Sequence, residues 1–117
     1  EPEPEEEMAA MERMARMEIY IDGMTKKAAN NVLKETLGVR GSDPSKSKFY
    51  LIETVKHAVE IESEYPRKLP STKGELKILA SEMRVRDRSS KSVSQLQSAI
   101  RRACRNVKRW TQNIDLP

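Results

Sequence analysis

The segment "GELKILASEMRVRDRSSKSVSQLQSAIRRACRNVKRW", residues 74–110, decides the fold. In its second half Val93, Leu96, Ile100, Ala103, Val107 and Trp110 recur at steps of three and four, the spacing of one apolar face of a long helix. At 100° per residue the centre of the opposite face falls near Ser98 and Arg105, with Lys91, Ser94, Gln95, Arg102 and Arg109 beside them. Residues 92–110 hold five basic residues and no acidic one. A solvated helix face usually mixes both signs, because like charges four apart repel by a few tenths of a kcal/mol. An unmixed face predicts an anionic partner.

Just upstream, Leu76, Leu79, Ala80 and Met83 mark one side of a short helix. Thr72 and Glu75 stand at capping-box spacing, so hydroxyl and carboxylate are each expected to satisfy a backbone amide of the other. Between the helices lies "RVRDRSSK", a basic, Ser-rich turn no wider than ten residues, after which Ser90 or Ser92 caps the long helix.

Farther out the chain reads as more helices. Thr25 is placed to cap one through Leu37, with Ala28, Ala29, Val32, Leu33 and Leu37 inward and Gly38 as its left-handed stop. "RGSDPSKS", residues 40–47, lacks the register of a phosphate-wrapping Gly-rich loop and reads as a connector. Phe49, Leu51, Ile52, Val55, Ala58, Val59 and Ile61 predict a strongly apolar helix at the centre of the core. Pro66 and Pro70 then interrupt helix formation. At the front, "EPEPEEE" reads as a solvated linker, disordered at its start, followed by a helix with Met8, Met11, Met14 and Met17 at steps of three. The expected division is residues 1–24, acidic linker and Met-rich helix, and residues 25–117, a helical domain. The fold class is all-α: a compact bundle of about five to six helices.

The totals fit one modest core. Five aromatic residues (Tyr20, Phe49, Tyr50, Tyr65, Trp110) and few β-branched runs argue against an all-β fold. One cysteine excludes an internal disulfide and predicts a reducing cytoplasm. No window approaches the roughly 18 apolar residues of a membrane span, so no membrane partner is expected. An opening on Glu1 predicts an excerpt or a processed product. The net charge of +4 hides an asymmetry: residues 1–20 carry −5, residues 21–64 balance, and residues 65–110 carry +10. Such an excess is the electrostatic footprint expected of a nucleic-acid binder, and it also suits acidic protein or lipid surfaces.

A short helix, a turn and a long basic helix follow the order of a helix-turn-helix, whose second helix lies in the major groove of double-stranded DNA. Within residues 92–110 the early turns offer Ser94, Gln95, Gln97 and Ser98 to base edges. Arg101, Arg102, Arg105, Lys108 and Arg109 follow with charge suited to phosphate, and Lys91, Arg86 and Arg88 add to it from the turn. One His and one Cys support neither a zinc site nor a Cys–His nucleophile. No carboxylate pair sits in an apolar setting, so neither an enzyme nor a cofactor is expected. Cys104, beside the apolar stripe, reads as a small buried side chain. The rival to DNA binding is a protein-interaction module whose basic helix docks an acidic partner, with the Met-striped helix as a second docking surface or dimer seam.

From about Thr25 to the end the chain resembles the C-terminal effector domain of the stage-zero sporulation protein A family, response regulators of endospore-forming bacteria. The resemblance rests on the order and spacing of "LGV" at 37–39, "KSKFYLIETV" at 46–55, "LKILASEM" at 76–83, "SAIRRA" at 98–103 and "NID" at 113–115. It implies an effector domain that binds promoter DNA as adjacent copies, contacts RNA polymerase and answers to an upstream phosphorylated receiver. By position, the family's DNA-contacting sites fall on Ser94, Gln95, Gln97, Ser98, Arg101 and Arg102. The family has Arg at the positions of Gln95 and Ser98 and Glu at Gln97, while Arg101 is retained and joins the base readers. The turn before the helix is some six residues longer than the family's.

Overall fold

A computed structural model describes residues 3–117. Among the described residues the chain is all-α, with five helices and no strand: α1 Pro4–Asp22, α2 Lys26–Asn31, α3 Ser47–Glu64, α4 Lys73–Glu82 and α5 Val93–Asn113. They close around one apolar core to which every helix contributes.

α1 begins inside the acidic leader, where composition predicted a linker. Pro4 sits at the first helical position, where its missing N–H is no loss, and Glu5, Glu6 and Glu7 lie at the positive end of the helix dipole. The expected disorder of Glu1 and Pro2 lies outside the described residues. The steps-of-three Met stripe drifts around the helix, and burial follows the drift. Met17 is buried, Met14 partly so, while Met8 and Met11 remain 69% and 71% exposed. Ile21 is fully buried, Tyr20 packs edge-on against Trp110 at 6.2 Å, and Glu18 pairs with Lys56 of α3 at 2.8 Å. The last turns of α1 therefore share the core of residues 25–117.

The Thr25 hydroxyl accepts the Ala28 N–H at 3.0 Å and opens α2 as expected. The helix then widens into a π turn over Val32–Thr36, closed by the Leu37 N–H on the Val32 carbonyl, and Gly38 stops it at φ +68°. α3 buries Leu51, Thr54, Val55, Ala58 and Ile61, with the Thr54 hydroxyl satisfied by the Tyr50 carbonyl at 2.6 Å. Phe49 and Val59 were expected among these core residues but lie off that face, 61% and 54% exposed.

α4 buries Leu76, Leu79 and Ala80, with Met83 buried just past its end. Its predicted capping box takes another form. The Thr72 hydroxyl donates to Glu75 Oε1 at 2.7 Å, side chain to side chain, and no backbone amide is capped by Thr72. The reciprocal box occurs instead on α5. The Ser92 hydroxyl accepts the Gln95 N–H at 3.3 Å and Gln95 Oε1 accepts the Ser92 N–H at 2.8 Å. Leu96, Ile100, Ala103, Cys104, Val107 and Trp110 are buried along α5, so its apolar stripe faces inward as the spacing required.

The ten-residue connection Met83–Ser92 is not a free loop. Val85 is buried, and Arg84 and Asp87 adopt left-handed backbone at φ +56° and +55°. The connection is fastened to segment 39–41. The Arg40 N–H donates to the Arg84 carbonyl at 2.9 Å, and the Arg84 guanidinium donates to the carbonyls of Arg40 and Gly41 at 3.1 and 2.7 Å. That guanidinium also lies 4.0 Å from the centre of the Tyr50 ring. Gly41 lets the chain pass close here: a Cβ would stand 2.5 Å from Lys34 Cδ and 2.8 Å from Asn30 Oδ1, so both side chains would have to shift.

Candidate nucleic-acid interface

Burying the apolar stripe fixes which α5 side chains face solvent. Ser94, Gln95, Ser98, Arg102, Arg105, Lys108 and Arg109 are all exposed. Among the described residues no acidic side chain pairs with Arg102, Arg105, Lys108 or Arg109. These four cations are spread along about two turns at the C-terminal half of the helix, ahead of them the short hydroxyl groups of Ser94 and Ser98.

The other sequence-predicted contacts have duties within the fold. Gln95 holds the α5 cap through its side-chain oxygen, so a bidentate reading of adenine through the same amide competes with the cap. Gln97, half-buried, donates to the Pro70 carbonyl at 3.0 Å. Arg101 was expected among the base readers, but its guanidinium closes on its own chain. Nη2 donates to the Tyr65 carbonyl at 2.8 Å and Nη1 stands 3.8 Å from Glu62. Arg86 Nε donates to the Val39 carbonyl at 3.1 Å, and Arg88 reaches the Val85 carbonyl at 3.5 Å. Lys91 is half-buried at the entry to α5. Asn106, on the flank of α5, donates to the Leu37 carbonyl at 3.1 Å and locks the helix to the end of the π turn.

The chain between α3 and α4 adds a feature that sequence reasoning passed over. A concave surface runs between this segment and α5, lined by Arg67, Lys68, Leu69, Ser71, Gln97, Ser98, Arg101, Arg102 and Arg105. Five of the nine are cationic and none is acidic. "YPRKLP" showed Pro66 and Pro70 as helix breakers; the signal missed was the Arg-Lys pair held between them. A smaller hollow between α4 and its connection to α5 brings together Arg40, Lys77, Arg88 and Asp87.

Two other clusters lie away from this surface. His57, Glu60 and Glu82, at the seam of α3 and α4, bring one donor atom each within 4.8 Å of one another. Within the cluster His57 Nε2 stands 3.4 Å from Glu82, and Glu60 lies one turn on from His57 along α3. An apolar groove lies between α1, α3 and α5, with Met11, Met14, Val59 and Val107 in its walls. Cys104 lines the same groove yet is 1% exposed. Burial, with the Glu62 charge adding to it, pushes the thiol up to about 12, outweighing the pull of Arg101 and Arg105. At pH 8 that reduces the thiolate fraction on the order of 10³-fold. Modification of the folded protein by a thiol reagent is therefore expected to be slower than that of the denatured chain by at least that order. A stopped-flow comparison of the two rates checks it.

No family model, curated protein or solved structure matches the chain. Among the described residues no helix is long and apolar enough to cross a membrane.

Proposed function

We propose that the chain is a sequence-specific DNA-binding domain that regulates transcription, with α4 and α5 acting as a helix-turn-helix. α5 enters the major groove with Ser94 and Ser98 toward base edges, and Arg102, Arg105, Lys108 and Arg109 hold phosphates. The observation that carries this reading is the exposed face of α5. It is of one sign, its cations pair with no carboxylate among the described residues, and the burial of Leu96, Ile100 and Val107 directs it outward. Cations left without intramolecular partners are available to replace the counterions condensed on a duplex. The resemblance to the sporulation effector domains supports the same role. It adds adjacent copies on repeated boxes and contact with RNA polymerase, and the single cysteine suits a cytoplasmic setting.

A gel shift of a random duplex at two salt concentrations tests the proposal. Binding at low salt is expected, with log K falling against log salt at a slope of about −3.6 for the four cations of α5, and about 0.9 steeper for each further phosphate neutralised. A selection from a random pool then yields the preferred site. A second reading is a protein-interaction module whose basic α5 face docks an acidic partner, and the apolar groove walled by Met11, Met14 and Val59 favours it as a second docking surface. The same assay separates the two, since absence of any shift at low salt supports the module and removes the DNA reading.

A further inference from the structure

We infer that the segment between α3 and α4, residues 65–72, is a second DNA-contacting element, in which Arg67 and Lys68 take backbone phosphates of the duplex strand bordering the groove that α5 occupies. The inference rests on the DNA-binding reading and deepens it.

Three attachments hold this strap against α5. The Tyr65 carbonyl accepts from Arg101 at 2.8 Å, the Pro70 carbonyl accepts from Gln97 at 3.0 Å, and Leu69 packs partly buried against the core. Pro66 and Pro70 fix φ at both ends of the intervening tripeptide and push the residues before them toward extended backbone. Arg67 and Lys68 are the exposed residues of that tripeptide, and neither makes a hydrogen bond or ion pair among the described residues. They project along the same concave surface as Arg102 and Arg105. Because prolines and two hydrogen bonds already order the backbone that carries these cations, binding a polyanion costs side-chain freedom but little backbone freedom. Gln97 and Arg101 thereby gain a role other than reading bases: they are positioning residues, acting on the nucleic acid through the strap they hold.

The test compares the full chain with two double variants, Arg67→Ala/Lys68→Ala and, as an equal loss of charge outside the cleft, Lys26→Ala/Lys27→Ala on α2. Affinity for a selected duplex and for a random one is measured across a salt series, with circular dichroism confirming unchanged helix content. The strap variant is expected to flatten the salt slope by about 1.8 and to weaken both duplexes roughly 60-fold at 0.1 M salt, leaving their ratio unchanged. The α2 variant is expected to leave the slope in place. A wild-type slope retained by the strap variant, or an equal loss in both variants, overturns the inference while the DNA reading stands. No binding by the unmodified chain overturns both.

Discussion

Replacing Ile100 by Ala is expected to destabilise the protein by about 2–5 kcal/mol, the range for truncating a fully buried aliphatic side chain. Ile100 is fully buried at the middle of α5, between Leu96 and Val107, and the surrounding helices cannot all collapse into the space left behind. For a domain whose whole stability is of order 5–15 kcal/mol, this is a large share. Chemical denaturation monitored through Trp110, itself packed at the end of the same stripe, reads it directly. DNA affinity measured where the variant remains folded is expected to be nearly unchanged, because Ile100 has no part in the exposed face. A midpoint within experimental scatter of the wild type would mean that the apolar stripe of α5 is not the keystone of the core.

The converse holds for Arg102→Ala/Arg105→Ala/Arg109→Ala. The three side chains are exposed and, among the described residues, make no ion pair, so stability is expected to change little. Binding to duplex DNA is expected to fall on the order of 500-fold at 0.1 M salt, and the slope of log K on log salt to flatten by about 2.7. The loss should be equal for specific and random duplexes, since phosphates carry no sequence. Fluorescence anisotropy over a salt series separates this outcome from a change in base preference. A variant that lost affinity for one sequence alone would place these arginines at base edges.

These two variants divide what was legible in the chain. The burial of Leu96, Ile100, Ala103, Val107 and Trp110, and the exposure of Arg102, Arg105 and Arg109, could be written down from spacing alone. One rotation angle fixes both faces of a helix. The short helix before it and the left-handed Gly38 were legible for the same reason, a local rule with a local cause. What escaped depended on contacts across the fold. Nothing near Phe49 or Val59 in sequence says which flank of α3 remains uncovered; that is decided by where α1 and α5 come to rest. Gln97 and Arg101 looked like readers by position, yet the carbonyls that claim them belong to Pro70 and Tyr65, 27 and 36 residues away. Arg67 and Lys68 were overlooked because proline was read only for what it prevents. The start of α1 within "EPEPEEE" was missed because acidic, proline-bearing composition was weighed above Pro at N1 and the favourable dipole.

The seam between Arg84 and residues 39–41 has an implication for portability. In a minimal helix-turn-helix the angle between bracing and reading helices is set by the short link itself, so the pair can be moved as a cassette. Here the link is ten residues long, bends twice through left-handed backbone and takes its shape from a strand of chain more than forty residues earlier. The orientation of α5 is thus inherited from the amino-terminal half of the molecule, and a graft of residues 72–113 into another scaffold would carry the two helices without the contacts that set the angle between them.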